Sequence, residues 1–416
     1  MLEISGMKVL VIGAGAAGLM AAYEISRKGI DVSILEASPR IGGRVRTFVP
    51  AGFTQSIEAG AEFIHGNLAL TLDLMKKAKL ASVPASMDMT AFRNRKFKPA
   101  FNSAQWATFE NLVFQLKRDC TLSEFLGQYF AGPKFESFRQ ECREMAQGLD
   151  LADPEKLSVF CIREEWTSSE TQYRPVSGYS PLLEFLSAKI IANGGKIVLD
   201  QRVVGIEWKK GSVSVRTNSD TYPADIAVVA VTLGNLQQRQ IAFEPKFDDR
   251  MFHDIGFGEV LKIAMEFDAM FWEETHPNLG FLFTDKEFTF WTQLELRRPV
   301  LTGWIGNDRA FEMGRLSDDE LVDILLSQLA DAFPDFDLPS MLKARAVYRY
   351  THDQPSSGGY SWTMPQSGKA IRKINDGIQD TIWFAGEAFE RTGDVATVEA
   401  ALKSGRYVAR KIARLK

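Results

Sequence analysis

Met7-Lys-Val-Leu-Val-Ile-Gly-Ala-Gly-Ala-Ala-Gly18, followed by Val32-Ser-Ile-Leu-Glu36-Ala-Ser-Pro-Arg40-Ile-Gly-Gly-Arg44, decides the reading of this chain. Val9 to Ile12 is a β-branched apolar run of the kind a strand buried on both faces needs. Gly13-x-Gly15-x-x-Gly18 follows at once. Gly13 permits a tight turn, Gly15 lets a diphosphate approach the backbone, and Gly18 lets a helix pack on the sheet. Leu19 to Lys28 continues as that helix, and Gly29 ends it. The N–H groups of Ala16, Ala17 and Gly18 lie at its start, at the positive end of the helix dipole, where a diphosphate binds. Ile30 to Leu35 is a second strand. Glu36 closes it about 20 residues on, where an acid holds an adenosine ribose. The strand, turn, helix, strand and acid occur in order, which a bare glycine turn does not supply.

The stretch Glu36-Ala37-Ser-Pro-Arg40-Ile-Gly42-Gly43-Arg44 resembles the second fingerprint of the flavin amine oxidase superfamily. That group holds monoamine and polyamine oxidases, L-amino-acid oxidases and flavin-type histone lysine demethylases. The residues agree physically: Gly42-Gly43 allows close backbone approach, and Arg44 supplies a fixed cation beside the pyrophosphate. The resemblance implies FAD as the cofactor. It also implies an α/β fold, a Rossmann-type FAD-binding domain interleaved with a substrate domain of mixed sheet plus helices. We expect FAD-binding segments at 1–66, 178–255 and 376–416, and substrate-domain segments at 67–177 and 256–375.

Composition bounds the function. The chain has 416 residues, 45% hydrophobic and 25% charged, enough for two ordinary soluble domains. A net charge of -4 gives no reason to expect a nucleic-acid partner. Cys120, Cys142 and Cys161 are odd in number and scattered, so neither a disulfide framework nor a metal site is expected, and the usage fits a reducing cytoplasm. The start of the chain lacks the charged, apolar and cleavage pattern of a signal peptide. No apolar run reaches the roughly 18 residues of a membrane span. The basic end, Arg410 to Lys416, reads as a solvated helix terminus with cations opposite the negative pole of the dipole.

Further along, Phe53 to Ile57 reads as a strand. Glu58-Ala-Gly60-Ala61-Glu62-Phe-Ile-His65-Gly66 resembles the polyamine-oxidase segment that runs under the flavin and places a histidine at the substrate cavity. Gly60, Ala61 and Glu62 are therefore candidate cofactor contacts and His65 a substrate contact. Asn67 to Leu80 reads as a helix. Ser103 to Lys117, Thr121 to Tyr129 and Pro133 to Gln147 carry apolar stripes at three and four spacing, as helices of an insertion covering the flavin. Arg174 to Leu186, with Trp166 before it, resembles the return to the FAD domain. Near Val204 the family bonds adenine through its backbone. Ala224 to Thr232 is a buried parallel strand.

Gly256-Phe-Gly-Glu-Val-Leu-Lys262-Ile-Ala-Met-Glu-Phe267 resembles the strand carrying the family's active-site lysine, which holds a water against flavin N5. Among apolar neighbours its amine becomes partly neutral by desolvation. Ser317 to Phe333 is an amphipathic helix opened by a Ser317-x-x-Glu320 capping box. Asp353-Gln-Pro-Ser-Ser-Gly-Gly-Tyr360-Ser-Trp362 resembles the loop that brings an aromatic ring beside the flavin. The family has a Trp shortly before it, and Thr351 stands near that place. Gly386-Glu387 matches the strand end whose acid binds the ribityl chain. Thr397-Val398 starts the helix whose N-terminus faces flavin N1 and the C2 carbonyl. Monoamine oxidases place a cage tyrosine where Thr397 aligns, so at most half of a two-ring cage is expected, from Tyr360 or Trp362. Both loops lack a cysteine, which makes the FAD noncovalent.

The resemblance implies an oxidase that takes a hydride from the α-carbon of a small amine to flavin N5, with dioxygen as second substrate and hydrogen peroxide as product. The protein is expected to be a monomer or homodimer. An L-amino-acid oxidase needs an arginine for the carboxylate, with Arg93, Arg163 and Arg174 as candidates. Lys262 argues against a protoporphyrinogen-oxidase-like desaturase. Lys262 with both flavin ends argues against a silent FAD-binding scaffold.

Overall fold

The computed structural model describes residues 6–415 except 102, 164, 168, 169, 354, 355 and 392. The first five residues, Gln354 and Pro355 of the aromatic loop, and Lys416 of the basic terminus lie outside the described residues.

The chain begins β1 (Lys8–Ile12), α1 (Ala16–Ser26), β2 (Asp31–Leu35) and α2 (Ala69–Ala78). It continues through the hairpin β3 (Met89–Arg93) and β4 (Lys96–Pro99), then α3 (Ala104–Gln115), α4 (Leu122–Tyr129) and α5 (Glu136–Gly148). Next come α6 (Ser180–Ala192), β5 (Lys196–Val198) and β6 (Ile226–Val229). The second half holds β7 (Val260–Phe267), β8 (Phe281–Thr284), β9 (Thr289–Gln293), β10 (Arg298–Gly306), α7 (Asp318–Ala332), β11 (Leu342–Tyr350), β12 (Ile382–Phe384) and α8 (Val398–Ile412).

Among the described residues, β12-β6-β1-β2-β5 form a sheet in that order, and every pairing is parallel. Its strands come from three separate stretches of chain, so the dinucleotide unit is interleaved with the rest. Both faces of β1 are buried. Val9 and Val11 face a core with α1, α2, α6 and α8, while Leu10 and Ile12 face a second core on the other side. This is why the strand reads as a continuous apolar run. Gly18 is needed for close packing: a Cβ there would lie 2.0 Å from the Gly13 carbonyl oxygen. α2, which the sequence places in the helical insertion, packs instead on α6 and α8. Its first turn is capped in trans by the buried Glu399 carboxylate, which accepts the N–H groups of Leu70 (3.1 Å) and Thr71 (2.7 Å).

The second sheet has the order β11-β7-β10-β9-β8-β3-β4 among the described residues, antiparallel except between β8 and β3. In β7 the side chains alternate. Leu261, Ile263, Met265 and Phe267 enter the core under α7, while Lys262, Ala264 and Glu266 point to the other face. α7 has the expected Ser317/Glu320 capping box and buries Leu321, Val322, Leu325, Leu326 and Leu329 against that core. Each such side chain contributes about 1.5–3 kcal/mol. α3, α4 and α5 form their own aromatic cluster, as their stripes predict.

Two readings need correction. The insertion is not purely helical, because β3 and β4 add to the edge of the large sheet. The strand predicted over 53–57 shrinks to Ile57–Glu58. The N–H groups of Thr54 and Gln55 are taken by the Glu266 carboxylate (2.8 and 3.3 Å), and so are withheld from a ladder.

Candidate active site

The glycine turn ends β1, and α1 starts from Gly15 with no side-chain cap bond and no acidic residue in its first turn. A Cβ at Gly15 would meet nothing within 4 Å, so the turn presents bare backbone to open space. An anion fits such a helix start. Glu36, at the end of β2, accepts the Ala14 N–H (2.6 Å), the Ser38 N–H (2.9 Å) and the Ser38 hydroxyl (2.7 Å). Its carboxylate is thereby fixed beside the turn with further acceptor capacity. Arg40 donates to the carbonyls of Ile41 (3.1 Å) and Gly43 (2.8 Å), so it shapes the Gly42-Gly43 loop from within. Gly42 bridges to Gly15, bringing the two fingerprints together. Ala37 is exposed beside them. Val204 sits at a register break between Val203 and Gly205, which takes its backbone out of the ladder.

Arg44 lies elsewhere than a free cation would. Its Nη1 donates to the Gly359 carbonyl and to Glu387 (3.0 Å), whose other oxygen accepts the Ser361 hydroxyl. Arg44, Glu387, Gly359 and Ser361 tie the dinucleotide unit to the aromatic loop. The side chains expected to hold pyrophosphate and ribityl are thus paired with each other. The Thr397 hydroxyl caps α8, accepting the Ala400 N–H (3.0 Å) and donating to the Asp394 carbonyl (2.7 Å). Its structural role is that of a helix cap. Val398 is buried behind it, and Gly386 accepts no cap but donates its N–H to Ser404 at 3.1 Å.

Lys262 is buried in β7, flanked by β11 and β10, and is not an edge residue. Its Nζ donates to the Gly60 carbonyl (2.9 Å) and to Glu62 (2.6 Å). Gly60 must be glycine, since a Cβ would lie 1.8 Å from the Arg44 carbonyl oxygen. The Ala61 N–H donates to that same carbonyl at 3.2 Å, so the segment is clamped. Burial pulls Lys262 below the ordinary lysine value, to about 7, with Glu58 opposing the shift and Arg174 adding to it. The side chain of Glu62 is engaged within the protein: its carboxylate also pairs with Arg174 and accepts Trp291 Nε1 at 3.1 Å. Arg174 further pairs with Glu295. With two carboxylates on it, Arg174 has no room for a substrate carboxylate. Arg93 pairs with Glu144, and Arg163 lies over the Phe160 ring.

The same face of the large sheet carries an aromatic wall. Trp304 pairs in register with Lys262. Its ring stacks on Tyr360 (6.2 Å between centroids, 20° between planes) and contacts Trp291 at 5.4 Å. Lys262 Nζ lies 5.5 Å from the Trp291 centroid. Phe63 joins Trp291 to His65. The ring stacked on Tyr360 is therefore Trp304. Trp362 is not in this stack: it packs on Gly256 and in the helical cluster. His65 has accessible surface yet is enclosed by protein, and burial lowers its pKa, with Gln172 acting the other way.

The sequence reading missed Trp291, Trp304, Arg174 as an ion-pair member, and an acid pair beyond Tyr360. Asp150 is buried and accepts Trp166 Nε1 at 3.0 Å. Burial, reinforced by Glu165, raises it well above the usual carboxylate range; Glu165 has accessible surface, yet the protein around it raises its carboxyl to about 7. Both act on the Tyr360 hydroxyl. Alternation in β9 and β10 was a signal for the tryptophans; the acid pair had none. Cys161 lies against Thr363, closer to the aromatic loop than sequence distance suggested, and burial pushes its thiol up to about 12, which makes it a poor nucleophile. Among the described residues no group of three or more His, Cys, Asp or Glu is disposed to hold a metal ion, and no helix is long and apolar enough to cross a membrane.

Comparison with known proteins agrees with this geometry. The family model described as "Flavin containing amine oxidoreductase" matches residues 16–127 and 83–413. Polyamine oxidase 4 of Oryza sativa subsp. japonica is 28% identical, over 91% of this chain and 83% of its own. Polyamine oxidase 2 of Arabidopsis thaliana matches to the same extent. Cyclohexylamine oxidase from Brevibacterium oxydans IH-35A superposes with a TM-score of 0.82 at 19% identity, covering 98% of each chain. Wild-type putrescine oxidase bound to putrescine also superposes with 0.82, at 16% identity, covering 98% of this chain and 99% of that one.

Proposed function

The chain belongs to the flavin-containing amine oxidoreductases and is an FAD-dependent amine oxidase, and we propose that its substrate is an aliphatic di- or polyamine oxidised at an α-carbon. When bound, FAD supplies the hydride acceptor and passes the electrons to dioxygen. The balance is one amine, one dioxygen and one water giving a carbonyl compound, a released amine or ammonia, and one hydrogen peroxide. The substrate loses a hydride and a proton to become an imine, which water hydrolyses.

The observation that carries this reading is Lys262, buried on an interior strand and bound to the Gly60 carbonyl where the large sheet meets the dinucleotide unit. Its charge would favour electron transfer to dioxygen. The α1 N-terminus would hold the diphosphate, Glu36 the ribose, and the Val204 bulge the adenine. Tyr360 and Trp304, stacked on one another, would form one wall beside the reacting amine and exclude water. The Asp150 and Glu165 carboxyls would receive a second ammonium group, ionising as they do so. The names of the polyamine oxidase relatives support the same class.

The test is anaerobic bleaching of the flavin's visible band by putrescine, spermidine, benzylamine and amino acids, with peroxide measured on readmitting air. Di- and polyamines should bleach it fastest and yield peroxide. Bleaching by amino acids alone would overturn the substrate class. Acid precipitation should release all the FAD; flavin left in the pellet would overturn noncovalent binding.

A further inference from the structure

Glu62 is buried and has three side-chain donors on its carboxylate: Lys262 Nζ (2.6 Å), Trp291 Nε1 (3.1 Å) and Arg174 Nη1. Arg174 donates onward to Glu295 and to the Thr292 carbonyl (3.0 Å). Its guanidinium lies 4.6 Å from the Phe63 ring centroid. Lys262, Glu62, Arg174 and Glu295 thus form a line of alternating charge, all but sealed from water. It joins the segment around Gly60 to β7 and to the start of the return segment at Arg174. Arg174 takes one oxygen while Lys262 and Trp291 converge on the other, an arrangement that a carboxylate, an acceptor at both oxygens, satisfies in full.

The groups facing Lys262 come from every element around it. Glu62 and the Gly60 carbonyl touch it from the Gly60 segment, Trp291 lies over it from β9, and Trp304 and Tyr348 are its register partners on β10 and β11. Glu58 and Arg174 act from farther away, in opposite senses. Glu58 has both an N–H and a hydroxyl donor of its own, from Tyr179 and Thr47. A buried amine with no contacting anion sheds its proton, whereas one in contact with a carboxylate retains it. Among the described side chains only Glu62 makes that contact.

We infer that Glu62 is a positioning residue, which keeps Lys262 an ammonium and aims it along the Gly60 carbonyl. This inference rests on the role given to Lys262 above. It adds to the expectation of a partly neutral amine: burial pulls the amine down, and the Glu62 carboxylate at 2.6 Å holds the proton against that pull. Arg174, sharing the same carboxylate, limits how strongly Glu62 can hold that proton.

The experiment reads the lysine itself. Holoenzyme labelled with nitrogen-15 lysine is titrated by NMR across neutral and alkaline pH, and the Lys262 signal is assigned by its loss in Lys262→Met. Glu62→Gln should lower the Lys262 midpoint by about one pH unit or more, a tenfold change in proton affinity. Glu62→Asp should restore most of it. Arg174→Gln should move the midpoint the opposite way, upward, which a general loosening of the site would not do; it also serves if Glu62→Gln does not fold. An unchanged midpoint in Glu62→Gln, or a downward shift in Arg174→Gln, overturns the inference. The readout needs no turnover, so a protein that oxidises no amine but shows both shifts would fail the proposed function and keep the positioning role.

Discussion

Lys262→Met removes an ammonium held by two contacts, 2.9 Å to the Gly60 carbonyl and 2.6 Å to Glu62. Methionine keeps most of the length and the apolar stem, so little cavity is left. The charge pattern changes instead. In the line Lys262, Glu62, Arg174, Glu295, two cations face two carboxylates; the variant leaves one cation for both. Removing one partner of a buried pair costs about 3–5 kcal/mol when the survivor is stranded. Glu62 is not stranded, because Arg174 and Trp291 Nε1 still reach it. We therefore expect the value of a charged hydrogen bond, about 1.5–3 kcal/mol, in denaturant unfolding of the FAD-saturated protein. The double variant Lys262→Met, Glu62→Gln returns to one cation and one carboxylate, and should be more stable than Lys262→Met alone. Chemistry should divide as well. Loss of one preorganised charge costs about 100- to 1,000-fold on the step that develops negative charge, here electron transfer to dioxygen. Anaerobic reduction by amine should fall much less. Stopped-flow flavin absorbance follows each half-reaction. Reoxidation at the wild-type rate in a folded, FAD-loaded variant would refute the role of Lys262. A double variant weaker than the single one would refute the charge balance.

Glu36→Ala removes an acceptor fixed by three donors beside the glycine turn. FAD titration should show affinity lower by about 1.5–3 kcal/mol with unchanged reduction rates at saturation, and unchanged affinity would mean another acid holds the ribose. Gly405→Ala places a Cβ 2.2 Å from the Ala17 carbonyl oxygen where α8 crosses α1, and thermal unfolding should show a loss of about 1–3 kcal/mol. An unaltered Tm would show that the two helices separate freely. Burial raises Glu58 from 4.5 to about 7, so the folded state holds a proton that the unfolded chain releases between those values. Wild-type stability should then fall as pH rises through that window, while Glu58→Gln stays flatter; parallel Tm curves would exclude this linkage.

What could be read from the sequence was local or periodic. β1, the turn, α1 and β2 are contiguous, so their order alone defines the unit. The α7 cap needs only Ser317 and Glu320. The β3–β4 hairpin was missed because Asn94 and Arg95 both take positive φ (54° and 59°) without the glycine that marks such turns. Trp362 and Trp304 look alike in sequence; only pairing tells them apart, since Trp304 sits opposite Lys262 on one face while Trp362 backs onto Gly256. The charge line was out of reach for another reason. Its contacts join residues 112, 121 and 200 positions apart, and no local pattern selects them. The family pattern could point to Lys262, but not to its protonation state, because that depends on Glu62 and Arg174, residues the pattern assigns to other work. Once β7 and the Gly60 segment are docked, Lys262 has a carboxylate at 2.6 Å, and desolvation no longer acts on it alone. The chemistry of the site is therefore set by how the two units meet as much as by the motif each one carries.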